Sequence, residues 1–140
     1  MEQYLEFATN NLWLVAAFVA VAAALVWNLV SQSQDKSVVS PQEATTLINR
    51  SQAVVVDVRP IADFKTGHIV NAQNIPSNGL KDQLKKLTKY QQKPVIVACR
   101  SGMTSATACG TLRKAGFTEV YNLKGGMQAW QEANLPIKRA

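Results

Sequence analysis

Cys99 is the residue of greatest chemical promise in this 140-residue chain. It closes an apolar run, Pro94 to Cys99 (PVIVAC), and opens the segment CRSGMTS. The run has the composition of a buried strand, and residues from Thr104 to Ala115 read as a helix stopped by Gly116. Gly102 lets the chain turn tightly between the two. A thiol at such a junction sits over a helix N-terminus, inside a curl of backbone N–H groups. Arg100 adds a positive charge beside the sulfur, and Ser101, Thr104 and Ser105 are placed to cap the freed amides. All three effects favour the thiolate, with a pKa below the ~8.5 of a free cysteine. The plainer reading is a small apolar residue that merely closes a strand. The expected site is Cys99 as nucleophile, with Arg100, Ser101, Gly102, Met103 and Thr104 as an anion-binding loop.

Other elements must hold that loop. Ser40 predicts a helix N-cap, with Pro41 at the first position and Glu43 three residues after the cap. Ala53 to Val58 (AVVVDV) predicts a strand buried on both faces. A short strand is expected around Ala72–Ile75, and Leu80, Leu84 and Leu87 mark one face of a helix. Glu119 to Leu123 predicts a further strand, and Met127 to Ala133 a last helix. Strands alternating with helices imply an α/β domain with a parallel sheet and helices on both sides. Ligands of such sheets bind beyond the carboxyl ends of strands, here after Val58, Cys99 and Leu123.

Three stretches resemble the rhodanese family. They are VDVRPIADFKTGHI (Val56–Ile69) followed by AQNIP, the loop CRSGMTS, and YNLKGGMQAW (Tyr121–Trp130). The resemblance covers about Val38 to Pro136. It implies a rhodanese-like fold, a parallel sheet of about five strands with helices on both faces. It implies a sulfurtransferase in which Cys99 becomes a persulfide. The donor would be a thiosulfate-like anion and the acceptor cyanide or a thiol, with no cofactor and no metal. Asp57 and Arg59 are candidate supports, and in the family this Arg commonly pairs with an acid placed like Asp63. Related phosphatases and arsenate reductases use a loop one residue longer with Arg six residues after the cysteine. Position 105 here is Ser. The loop departs from the commonest rhodanese form too, with Met103 and Thr104 where many members carry Arg. Some members lack the cysteine, so a membrane-tethered interaction module is the alternative function.

His68 and the pair Gly125–Gly126 read as structural turn residues, and Trp130 and Cys109 as core. Two cysteines and one histidine exclude a disulfide framework and a protein-only zinc site.

Hydrophobic residues make up 47% of the chain and charged residues 17%, which excludes a disordered polypeptide. Much of that hydrophobicity lies in Leu12 to Val30, where Asn28 is the one polar side chain. As a helix this stretch is about 28 Å long, close to the thickness of a bilayer core. Trp13 and Trp27 sit at its ends, where indoles favour the membrane interface. The segments expected are therefore 1–11, a short N-terminal segment; 12–30, a transmembrane helix; 31–37, a polar linker; and 38–140, the rhodanese-like domain. An acidic start, without Lys or Arg, argues against a cleaved signal peptide. Lys36 follows the span, so the positive-inside rule places the N-terminus outside and the domain in the cytoplasm, at a bacterial inner membrane.

The part after the span carries fifteen basic and seven acidic residues. This suits nucleic acid, acidic lipid or small anions, and the anchor allows a membrane-protein partner. The basic residues are dispersed and carry no nucleic-acid-binding signature, so no nucleic acid is expected. Lys81, Lys85 and Lys89 repeat at α-helical spacing, either as a solvated face or against acidic lipid.

Overall fold

The computed structural model describes residues 1–33 and 36–139. The chain divides into two compact units, Met1–Asp35 and Lys36–Ala140.

The first unit is two helices, α1 (Glu2–Asn10) and α2 (Leu12–Ser33). α1 was not expected. Asn11 both ends it and starts the next helix. Its side-chain amide donates to the Phe7 carbonyl at 3.0 Å, while its own carbonyl accepts from Leu14 N–H at 2.9 Å. α2 is long and apolar enough from Leu12 to Ser31 to cross a membrane, and none of that span is buried in the protein. It runs on through 31–33, which the sequence assigned to a linker; Gln34 and Asp35 of that linker lie outside the described residues.

The second unit is an α/β domain. In order it contains β1 (Val38–Val39), α3 (Pro41–Ser51), β2 (Val54–Asp57), α4 (Ile61–Thr66), β3 (His68–Ile69) and β4 (Gln73–Asn74). A 3-10 turn (Ser77–Gly79) and a 3-10 helix (Lys81–Tyr90) follow. Then come β5 (Val95–Ala98), α5 (Met103–Lys114), β6 (Val120–Leu123), α6 (Gly126–Glu132) and β7 (Ile137–Lys138). Five strands form one parallel sheet in the order β1-β6-β5-β2-β4. A second, antiparallel pair joins β3 to β7, two segments in which the sequence predicts no strand.

The strands are buried on both faces because successive side chains alternate across a pleated sheet. Val56, Val95, Val97 and Val120 point one way, packing with Leu80, Leu87, Ala108, Cys109 and Leu112. Val55, Ile96, Ala98 and Leu123 point the other way, against Ala44 of α3 and Met127 and Trp130 of α6. The Ser40 hydroxyl accepts from Glu43 N–H at 3.2 Å, the cap expected for α3.

The leucine-marked segment is a correction. It is 3-10, not α, and burial recurs every third residue at Leu84, Leu87 and Tyr90. With three residues per turn, a spacing of four advances by a third of a turn. Lys81, Lys85 and Lys89 are exposed but share no single face.

Candidate active site

Cys99 immediately follows β5, at the carboxyl edge of the sheet. It shares the face of Val97, so its side chain enters the core on the α5 side. Gly102 adopts φ +99°, a left-handed conformation open to glycine, and turns the chain into α5. The turn brings its own N–H to 3.0 Å from Cys99 Sγ. The sulfur also faces the amides of Ser101 and Ser105.

Ser105 contributes more than an amide. It is wholly buried, on the α5 face that carries Ala108, Cys109 and Leu112. Its Oγ lies 3.3 Å from Cys99 Sγ, and its hydroxyl donates to Asn122 Oδ1 on β6. Asn122 Nδ2 in turn donates to the Gly102 carbonyl at 3.0 Å. The expected caps are thus corrected. No side chain caps α5; Gly102 occupies the N-cap, and the Ser105 hydroxyl is turned to the sulfur instead.

Burial pushes the Cys99 thiol up, but the Ser105 hydroxyl and the amides of Ser105, Gly102 and Ser101 outweigh it, and the net pKa is lowered. Hydrogen bonds to the charged form outweigh desolvation. Arg100, whose side chain is exposed, is not among the groups that lower it. At Cys109 the Arg113 charge and its own amide do not offset burial, which pushes the thiol up to about 11. Exposure does not separate the two thiols, since both are buried.

α6 closes the loop from the other side. Met127 N–H donates to the Cys99 carbonyl at 2.7 Å, and Gln128 N–H to that of Arg100 at 3.2 Å. Gly126, at φ +59°, makes this approach possible; a Cβ there would lie 2.7 Å from the Arg100 carbonyl carbon. The remaining loop residues diverge. Arg100 lines a cleft of about 360 Å³ with Arg59, Asp63, Thr66 and Gln128. Met103 and Thr104 line another, of about 450 Å³, with Ser77, Asn78 and Leu80.

Asp57 and Arg59 lie at the end of β2 and bind each other. Arg59 Nη2 donates to Asp57 Oδ2 at 2.8 Å and to the Gly67 carbonyl at 2.7 Å. The expected partner, Asp63, is exposed in the first turn of α4 and takes no part. Asp57 wins because it is buried and its carboxylate also accepts the Arg59 backbone N–H, so the turn folds the guanidinium back onto it. His68 stacks on Phe64 at 3.7 Å, with Nδ1 2.8 Å from the Phe64 carbonyl.

The profile of the Rhodanese-like domain matches residues 40–133. The chain belongs to the rhodanese-like family. One relative is the uncharacterized protein YibN of Escherichia coli (strain K12). It is 38% identical over 141 residues, 99% of either chain. The thiosulfate sulfurtransferase GlpE of Vibrio cholerae is 36% identical over 95 residues, 68% of this chain and 88% of its own. Among solved structures, a rhodanese-related protein of Thermoplasma volcanium superposes with TM-score 0.65 at 30% identity. That match covers 72% of this chain and 96% of the other. A rhodanese-like domain and the likeness to GlpE support a sulfurtransferase-like role.

Asn122 was missed from the sequence, and Ser105 was read there as a cap of the helix amides, not as a partner of the sulfur. Each left a signal. Ser105 is a hydroxyl at the first place of an i, i+3, i+4, i+7 apolar face, and Asn122 is an amide inside the strand VYNL.

Proposed function

We propose that the chain is a membrane-anchored sulfurtransferase in which Cys99 carries sulfane sulfur as a persulfide. The observation that carries this reading is the sulfur's surroundings, with Gly102 N–H at 3.0 Å and Ser105 Oγ at 3.3 Å. A thiolate so held attacks the outer sulfur of thiosulfate. A new S–S bond forms, the old one breaks, and sulfite leaves with the electron pair. The loop amides of Ser101, Gly102 and Ser105 then face an anionic sulfur instead of water. Cyanide or an acceptor thiolate takes the outer sulfur, and the pair returns to Cys99. Arg100, Met103 and Thr104 border the clefts on either side through which donor and acceptor approach. Asp57 and Arg59 brace the neighbouring strand end.

In this reading residues 12–30 anchor the chain in a bacterial inner membrane, the N-terminus lies outside, and residues 38–140 work in the cytoplasm. Length and apolarity of α2 support the anchor, and Lys36 after it supports the orientation. A second reading, a tethered interaction module with little turnover, is favoured by the 3% exposure of Cys99. Intact-mass spectrometry of the purified full chain after thiosulfate separates the two. A gain of one sulfur atom, removed by cyanide and absent in Cys99→Ser, supports the carrier. No gain leaves the module.

A further inference from the structure

The hydrogen bonds around Cys99 have a direction. In the thiol form Sγ–H donates to Ser105 Oγ, Ser105 O–H donates to Asn122 Oδ1, and Asn122 N–H donates to the Gly102 carbonyl. A hydroxyl has a single proton to give. Once Sγ is a thiolate it can only accept, so Ser105 must rotate its proton from Asn122 to the sulfur. Ser105 is completely buried, and water does not compete for it. Asn122 is half-buried.

We infer that Ser105, poised by Asn122, is a charge-following hydroxyl that assists release of sulfur from Cys99 and not its capture. The inference rests on the sulfurtransferase reading above. In capture, charge leaves Sγ as the new S–S bond forms, and the outer sulfur of the persulfide takes it. Ser105 then loses a charged acceptor and returns to Asn122. In delivery, cyanide bonds to the outer sulfur, the Sγ–S bond breaks, and the electron pair goes back to Sγ. Ser105 donates to that leaving thiolate. Ser105 touches the reacting atom; Asn122 is a positioning residue. The other ionisable groups around the loop are few. Cys109 on α5 is neutral over the working range, and Asp57 and Arg59 at the end of β2 neutralise each other. Arg100 on the loop and Lys124 after β6 are exposed.

The test uses the full chain in detergent, as wild type, Ser105→Ala and Asn122→Asp. The first readout is the pH dependence of Cys99 alkylation by iodoacetamide, located by peptide mass. Its midpoint should rise by about one pH unit in Ser105→Ala, the worth of one hydrogen bond to a charged group. It should rise further in Asn122→Asp, whose carboxylate holds the hydroxyl and adds a like charge. The second readout is single-turnover kinetics at a pH above all three midpoints. Loading by thiosulfate should be as fast or faster in Ser105→Ala, while discharge by cyanide should slow about tenfold. Unmoved midpoints in the variants, or equal slowing of both half-reactions, overturn the inference. If Ser105→Ala does not fold, the Asn122→Asp midpoint decides. A wild-type chain that never gains sulfur refutes the sulfurtransferase reading instead, and the alkylation midpoints still decide the hydroxyl's part.

Discussion

Met127 N–H is bonded to the carbonyl of Cys99 at 2.7 Å, so the last helix is fastened to the residue that bears the thiol. The fastening depends on Gly126, which has no side chain at the crossing. Gly126→Ala adds a methyl where the Arg100 carbonyl carbon is 2.7 Å away, on a backbone at φ +59°. It should cost about 1–3 kcal/mol and lose sulfur loading through a displaced loop. Gly110→Ala is the control. It lies within α5 with open space at its Cβ and should gain about 0.5–1 kcal/mol. Thermal denaturation and intact mass after thiosulfate check both.

Cys109 should impose an alkaline limit on stability. Its folded pKa is raised to about 11, so the neutral form is favoured by folding. The stability it contributes is complete below the unfolded thiol's pKa and is lost as pH rises toward 11. Urea melts of wild type minus Cys109→Ala, taken from pH 8 upward, should show a loss on the order of 2 kcal/mol that belongs to this residue. A pH-independent difference would contradict the assignment. Cys99 has the opposite sign. Its lowered pKa favours folding above the unfolded value, and this is lost as pH falls through the folded one.

The Asp57–Arg59 pair should behave as a unit. Arg59→Met leaves a fully buried carboxylate without its cation and should destabilise by about 3–5 kcal/mol. Adding Asp57→Asn should restore a large part of the loss, since the uncompensated charge goes with it. Asp63→Asn should change stability by less than about 0.5 kcal/mol. Chemical denaturation of wild type, Arg59→Met, Asp57→Asn and the double variant measures the coupling.

Phosphoryl chemistry should be absent. Ser105 stands where the longer phosphatase loop carries Arg, and its site is fully buried between Cys99 and Asn122. The purified chain should not hydrolyse an aryl phosphate, and Ser105→Arg should fail to confer it while disrupting the loop. Turnover by the wild type would contradict a sulfur-carrying site.

Topology is open to a direct test. Protease added to intact spheroplasts of a bacterial host should spare residues 38–140, and lysis should expose them. Digestion before lysis would reverse the orientation drawn from Lys36.

The strands and the thiol loop were legible in the sequence because β-branched runs and a Cys-to-Gly turn are local signals. Ser40, Pro41 and Glu43 likewise announced α3, whose cap depends on adjacent residues alone. What escaped is non-local. The pairing of His68–Ile69 with Ile137–Lys138 joins two segments too short to carry a period. Asn122 and Ser105 meet across a strand and a helix, and neither spacing nor composition shows that contact. The leucines from Leu80 to Leu87 fit an α-helix as well as a 3-10 helix until packing chose. Arg59 has two carboxylates within four residues, and burial, which the sequence does not print, selected Asp57.

The sheet order also sets a calendar for synthesis. Among the described residues β1 is the first strand made, yet its partner is β6, Val38 against Asn122. β2, β4 and β5 can join as they emerge, while β1 waits unpaired just after the apolar helix until nearly the whole chain is made. The same late segment brings Asn122 to brace Gly102 and Gly126 to seat on Cys99. A nascent chain therefore exposes its cysteine well before it owns the cradle that makes the cysteine useful. The surroundings of Cys99 are complete only when residues 122–127, in the last fifth of the protein, have left the ribosome.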